Sequence, residues 1–382
     1  MALSKIDVAN MLTGLVPNDN TIRRPNAKPL IINGNMAVAQ KATSVTSLTS
    51  SGAVQTVDRI KNEISNIGTY TVIQESLSSG EAYNNGFRKA WRIDCTSADA
   101  SPAAGDNLYV TYHFEGQDLQ LFKKGTSNAQ KFTLAFWIKS NKTGTGQVNL
   151  RDNDNSRLIG GTYTISSADT WEHKVVNFAA DTTGAFDNDN AGSMDIEWWL
   201  DSGTTYSSGA TPTAWEAFSQ ADRNASGNLQ IARNTANDWA ITGIQLEVGE
   251  FSSTTLPPFQ FEDFGDNKNR CLRYYYRLNP DADAQASIGE ASYYSSSAAF
   301  CCLEFPIAMR DSPSLERTTG TDYFNLNRNS ANDSFDTFNN LNASDHTSAQ
   351  LYISSGISGT AGHGARCRFN DASARLAFSA EL

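Results

Sequence analysis

Apolar residues recur at every second position through much of this chain. In "DNLYVTYHFEG", Leu108, Val110, Tyr112 and Phe114 share one parity. In "KFTLAFWIKS", Phe132, Leu134, Phe136 and Ile138 do the same. A period of two marks a half-buried strand, with one face on a core and one toward solvent. "TWEHKVVNFAA", "MDIEWWLDSG" and the closing "SARLAFSAEL" read the same way, and the loops between are rich in Asp, Asn, Gly, Ser and Thr. Repeated strands with polar turns and almost no helical period predict an all-β chain: a jelly-roll β-sandwich followed by a second β-sandwich domain. "KPLIINGNMAVAQ" reads as a strand broken by a turn at Asn33–Gly34, and Asn85–Gly86 as the turn of a hairpin, because both residues accept positive φ.

One stretch breaks its own parity. In "WAITGIQLEVGEF", Trp239 and Ile241 are odd, while Ile244, Leu246 and Val248 are even. A β-bulge at Gly243 adds one residue and returns both sets to one face. This strand is expected to close the first jelly roll. Pro257–Pro258 stops strand pairing just beyond it. The reading therefore divides the chain into an anchoring segment at 1–28, a jelly roll at 29–256 and a C-terminal sandwich at 257–382. Within the first segment, residues 3–15 offer a short helix with Ile6, Met11 and Leu12 on one side. It has too few apolar groups for a core of its own, so a partner is expected to hold it.

Charge and composition narrow the function. The chain has 382 residues, 39% apolar and 19% charged, with a net charge of −11. That surface repels phosphate backbones and anionic bilayers, so no nucleic acid and no membrane insertion are expected. No apolar run approaches the roughly 20 residues that a membrane span needs. The five cysteines are irregularly spaced with no CxxC pair, and are expected to be reduced and mostly buried. No nucleophile elbow, HExxH or phosphate loop occurs, and the four histidines lack metal-ligand spacing. "RDNDNSR" and "FDNDNAGSMD" look like cation loops, but Ala191 and Trp198 stand where oxygen ligands would be, so both read as polar turns. No pair among the 41 acidic residues is singled out for glycoside hydrolysis, and catalysis is not expected.

Aromatic residues give the sharper signal. With Ile196, Trp198 and Leu200 facing the core, Glu197, Trp199 and Asp201 face the other way. Trp137 and Lys139 likewise fall opposite their apolar set, and Trp215 lies in loop territory. An outward ring beside carboxylates or amides suits sugar binding: the ring stacks on the apolar CH face and the polar groups take the hydroxyls. The other reading is that a loop or a neighbouring subunit covers Trp137 and Trp199.

Several stretches resemble phage tail-fibre modules common in phages of marine bacteria. "LIINGNMAVAQ" and "ITGIQLEVGEF" are similar to the first and last strands of that family. "CTSADASPAAGDNLYVTYHFEG", "FTLAFWIKSNKTGT" and "WEHKVVNF" resemble the segments between. "FGDNKNRCLRYYYRL", "FPIAMRDSPSL" and "SARLAFSAEL" are similar to what usually follows, and "ALSKIDVANMLTG" to the leaders of phage tail proteins. The resemblance implies a carbohydrate-binding-module-like jelly roll whose first and last strands pair in one sheet. It further implies a trimeric virion protein, joined to tail or baseplate proteins through its N-terminus, that meets host-surface polysaccharide. Two alternatives stay open: a capsid decoration or head-fibre protein with no active sugar site, and a glycan-degrading tailspike. No cofactor is expected. Related jelly rolls often carry a structural calcium, but Met36–Ala37 stands where the usual acid follows the first strand, so none is assigned here.

Overall fold

The computed structural model describes residues 28–382 apart from 53, 226 and 330. Ile6, Met11 and Leu12 lie outside the described residues.

The first sandwich contains β1 (Ser44–Ser50), β2 (Lys61–Ser76), the helical turn α1 (Glu81–Asn84), β3 (Lys89–Ser97), β4 (Asn107–Glu115) and β5 (Phe132–Lys139). It continues with β6 (Gly144–Asp152), β7 (Arg157–Ile165), β8 (Glu172–Phe178), β9 (Gly192–Ser202), the turn α2 (Thr204–Ser207), β10 (Glu216–Ala217) and β11 (Asp238–Val248). All pairings are antiparallel, in the order β10-β7-β6-β9-β4-β2-β3-β11-β5-β8. β2 is the reason one list covers both layers. Residues 61–65 pair with β4 in one sheet, and residues 69–76 pair with β3 in the other. The corner between them uses left-handed residues, Asn66 (φ 50°) and Gly68 (φ 90°). A side chain on Gly68 would sit 2.6 Å from the Ser97 carbonyl oxygen, so the corner needs glycine on two counts.

Between the layers the alternating residues interlock. Val110, Tyr112, Phe136, Ile138, Val148, Ile196 and Trp198 lie with Trp91 and Trp239 in one buried cluster. Phe136 meets Trp198 edge-on at 5.9 Å, and Trp91 meets Trp239 at 6.2 Å, the geometry that aromatic quadrupoles prefer.

The bulge at Gly243 is present. Its φ is +62°, and the β11–β5 register slips between Thr242 and Gln245. Trp239, Ile241, Ile244 and Leu246 therefore share the core, with Val248 packed against it. Two other expectations are corrected. Residues 31–40 form turns and irregular backbone rather than a strand. Their tie to β11 is Ile244 N–H donating to the Gly34 carbonyl at 3.0 Å. The hairpin at Asn85–Gly86 is not a two-residue turn: residues 77–88, including α1, join β2 to β3, and Gly86 supplies a φ of 99° inside that longer link.

The helix α3 (Phe264–Leu272) leads into the second sandwich; Asp263 caps it by accepting from Gly265 N–H at 2.8 Å. Its strands are β12 (Tyr275–Leu278), β13 (Ser287–Ser295), β14 (Ala298–Glu304), β15 (Ser314–Arg317) and β16 (Phe324–Arg328). They continue with β17 (Ala331–Phe335), β18 (Asn340–Ser344), β19 (Ser348–Ile353), β20 (Gly364–Phe369) and β21 (Leu376–Ser379). A sheet ordered β12-β21-β15 packs on one ordered β17-β16-β20-β13-β14-β19-β18. Leu376 and Phe378 from the small sheet share a core with Tyr293, Cys301, Leu351 and Phe369 from the large one. All five cysteines are free, and only Cys302 is exposed.

Polar contacts join the sandwiches. Glu115 on β4 accepts from Arg273 at 2.8 and 2.6 Å and from the Tyr274 hydroxyl at 2.5 Å. Burial alone would raise the Glu115 carboxyl, but these donors outweigh it and hold it below the usual range.

Candidate functional site

Residues expected to bind sugar occupy three separate places. Trp199 does lie on the outer face of β9, as parity requires, opposite Tyr109 on β4 and Gln147 on β6. It is not exposed. Trp199 is fully buried and Glu197 is 1% exposed. The cover is the chain's own return after β9, residues 203–225. Arg223 from that segment donates to Glu197 Oε2 at 3.0 Å and Oε1 at 2.6 Å. Its guanidinium lies 4.6 Å from the Trp199 ring centre and 4.9 Å from that of Tyr109. Tyr109 and Trp199 stack at 4.4 Å and 11°, and the Tyr206 ring lies tilted against Trp199 at 5.1 Å. Trp199 Nε1 donates to Glu197 Oε2 at 3.0 Å. Burial and the Glu197 charge push the Tyr109 phenol up to about 12.

The contacts a sugar would make here, ring stacking and hydrogen bonds to a carboxylate, are thus made by Arg223. The segment is pinned from below as well: Asn149 Nδ2 donates to the Arg223 carbonyl at 2.7 Å and Gln147 Nε2 to that of Asp222 at 2.7 Å. The expected exposure of Trp199 and Glu197 is corrected: parity set their face, and a later segment covers it.

Trp137 and Lys139 lie on the outer face of the opposite sheet and are half-buried. Trp137 packs on His173 at 4.9 Å, and Lys139 reaches Glu75 at 3.4 Å while sitting 5.3 Å from the Trp171 ring. Phe87, Trp171 and Ala82 of α1 form a small buried cluster alongside. Burial, with the Lys174 charge, lowers the His173 pKa. Trp215 belongs to the interior rather than to an open loop: it is 9% exposed, and its Nε1 donates to the Ala179 carbonyl at 2.8 Å.

The first acidic loop and the segment just before the second meet at a lysine. Lys124 Nζ, fully buried, meets Asp152 at 2.5 Å and Asp181 at 3.0 Å and donates to the carbonyls of Thr183 and Gly184 at 3.0 and 2.8 Å. Carboxylates and carbonyls gathered around one cation resemble a calcium loop in composition, and an ammonium supplies that charge. Among the described residues no cluster of His, Cys, Asp and Glu is arranged to hold a metal.

A fourth place was not singled out by the sequence reading. On the solvent side of the large C-terminal sheet, Tyr294 (β13), Phe300 (β14) and Tyr352 (β19) form a row. Phe300 lies 5.6 Å from Tyr294 and 5.3 Å from Tyr352. Tyr294 is 73% exposed, and Phe300 and Tyr352 are half-buried. Asn340 pairs across from Tyr352, and Glu290, Cys302 and Gln350 form the next row of the same face. Asn342 Nδ2 donates to Gln350 Oε1 at 2.7 Å. Rings with amide and carboxylate neighbours, on strands that fix their spacing, form a flat polar-rimmed aromatic surface. A signal for it existed. In β14 the small residues Ala299 and Cys301 face the core while Phe300 faces out, the reverse of an ordinary strand.

No family model and no curated protein matches the sequence. Solved structures with some likeness include the enzymatically active domain of tailspike protein 4 from bacteriophage CBA120: 11% identity, TM-score 0.29, 58% of this chain and 21% of that one. The present chain thus spans about a fifth of that tailspike. TmCBM61 in complex with β-1,4-galactotriose matches at 7% identity and TM-score 0.27, over 58% of this chain and 99% of that one. The family 11 carbohydrate-binding module of Clostridium thermocellum, in complex with a β-1,3-1,4-mixed-linked tetrasaccharide, matches at 11% identity and TM-score 0.25, over 55% and 98%. These likenesses are too remote to assign anything, and the jelly-roll description of the first sandwich stands on its strand order.

Proposed function

We propose that this chain is a non-catalytic glycan-recognition subunit of a phage appendage, of the tail-fibre kind, that contacts host-surface polysaccharide through its C-terminal sandwich. The observation that carries the proposal is the exposed row Tyr294–Phe300–Tyr352 with its amide and carboxylate rim. Successive rings on paired strands suit successive sugar units, because CH faces stack on aromatic rings while hydroxyls take the flanking amides. The resemblance of the sequence to tail-fibre modules supports the virion setting, attachment through residues 1–28 and a homotrimer. The jelly roll then acts as the rigid base, its outward Trp199 face being filled by its own Arg223.

Purified protein passed over an array of bacterial surface glycans tests this reading. Retention of a polysaccharide, weakened about tenfold by Tyr294→Ala and with no new reducing ends, is the expected result. Release of reducing sugar would favour the tailspike alternative. No retained glycan, together with a change in sedimentation on Tyr294→Ala, would make the row a contact between copies and favour the decoration-protein alternative.

A further inference from the structure

A groove of about 910 Å³ opens between the two sandwiches. Its walls come from residues 37–44 before and at the start of β1, from α3, from β12 and its following turn, and from Arg375. Its charge is unusual for this protein. The chain carries a net −11, yet Lys41, Lys268, Arg277 and Arg375 all line this one space. A smaller adjoining cavity of about 150 Å³ shares Lys41, Arg277 and Arg375 and adds Arg317. Lys41 is paired, to Glu316 at 3.0 Å. Among the described residues, Lys268, Arg277 and Arg375 enter no ion pair with a carboxylate.

Arg277 is held in place without being neutralised. Its Nη1 donates to the carbonyls of Gln40 at 3.1 Å and Lys41 at 3.3 Å, and its buried Nε has no partner. Burial, and then the nearby Arg375 charge, lowers the Arg277 pKa. Two guanidinium groups facing one cavity repel each other, and an oxyanion between them would turn that repulsion into charge-assisted hydrogen bonds. The remaining walls suit a sugar ring. Tyr276 lines the groove, braced by Phe305 at 6.3 Å and Phe378 at 6.4 Å, and Phe264 lines it while 60% exposed. Gln40 and Gln74 line it too; their Nε2 groups already donate to Asp58 and Tyr275 and to Met36 and Ala37, which leaves their Oε1 atoms as acceptors.

We infer that the groove is a second glycan site, specific for an acidic sugar: a ring bearing a carboxylate, sulfate or phosphate, its oxyanion held by Arg277 and Arg375 and its apolar face against Tyr276 or Phe264. The site is separate from the aromatic row, and does not depend on it.

Calorimetric titration of the full chain tests the inference. The probes are trigalacturonate, a sulfated disaccharide and glucose 6-phosphate, with galactotriose and inorganic phosphate as controls. At least one acidic sugar should bind, with galactotriose and phosphate at least about tenfold weaker, and affinity should fall as sodium chloride is raised. Arg375→Gln and Lys268→Gln should each weaken binding about tenfold. Arg375 is exposed and Lys268 half-buried, and among the described residues neither enters an ion pair, so an unchanged thermal midpoint in each variant separates lost binding from misfolding. Tyr294→Ala should leave this affinity unchanged. The inference is overturned if none of the acidic sugars outbinds its controls, if phosphate alone binds as tightly, or if Tyr294→Ala abolishes the binding that Arg375→Gln spares. The last result would move the ligand to the sheet face.

Discussion

Arg59 and Glu381 lock the first sandwich to the last strand region of the chain. Arg59 Nη1 donates to Glu381 Oε2 at 2.6 Å, with the arginine side chain 2% exposed and the glutamate 10%. The guanidinium also donates to the His113 carbonyl at 2.6 Å and lies 3.5 Å from the Tyr274 ring centre. Removing one partner of a buried pair strands the other charge, which costs more than the pair itself contributes. Glu381→Ala is therefore expected to destabilise the protein by about 3 kcal/mol in chemical denaturation. An unchanged midpoint would show that water reaches Arg59 in the native protein.

Lys124→Met should be costlier than an ordinary core change. It leaves Asp152 and Asp181 facing each other with their shared cation gone. A loss of about 3–5 kcal/mol is expected. If calcium then restored the thermal midpoint, Asp152, Asp181 and the carbonyls beside them would prove able to hold a metal once the ammonium is absent.

Stability should carry a pH signature from Asp58. Burial, partly offset by hydrogen bonds from Gln40 N–H and Nε2, raises this carboxyl from 3.8 to about 7. The folded state therefore binds the proton more tightly than the unfolded state. The stability this contributes is fully present below about pH 4 and is lost as pH rises toward 7, about 4 kcal/mol at most. Urea midpoints between pH 4 and 8 should fall more steeply with pH in the wild type than in Asp58→Asn. Parallel curves would mean that Asp58 ionises normally in the fold.

Trp199→Ala and Tyr294→Ala should separate structure from recognition. Trp199 is fully enclosed by Tyr109, Tyr206 and Arg223, so its truncation is expected to cost about 3–5 kcal/mol and leave glycan retention intact in the folded fraction. Tyr294→Ala should do the opposite: little change in melting, and lost retention. Reversed outcomes would return the sugar site to the jelly roll.

Gly243→Ala probes the bulge. The residue has positive φ, and a methyl group there would lie 2.6 Å from Phe87 Cζ and 2.9 Å from Trp137 Cδ1. Strain and overlap together should cost about 2 kcal/mol or more, read as a lowered thermal midpoint. A neutral effect would show that Phe87 can move aside.

What could be read from the sequence follows from how far each signal reaches along the chain. Strand faces were legible because period two is local, and so was the bulge, where parity slipped beside a single glycine. The cover over Trp199 was not. Tyr206 and Arg223 sit in a segment without periodicity, and nothing at Trp199 itself announces that the chain returns over it. The Lys124 centre was hidden for the same reason, since its carboxylates come from the end of β6 and from the loop after β8, far apart in the chain, and Asp181 lies in neither acidic cluster. The aromatic row was written locally, in the outward Phe300 beside inward Ala299 and Cys301. It asked for the same parity argument that had been applied to the tryptophans.

β2 has a mechanical consequence. Its first half is bonded to β4 and its second half to β3, so the two ladders lie in series on one backbone. Those hydrogen bonds run across the strand direction. Tension along β2 would load them in shear, many at once, rather than peel them apart singly. A sandwich stitched by such a strand resists being opened sheet from sheet, and a pull applied at one layer is carried directly into the other.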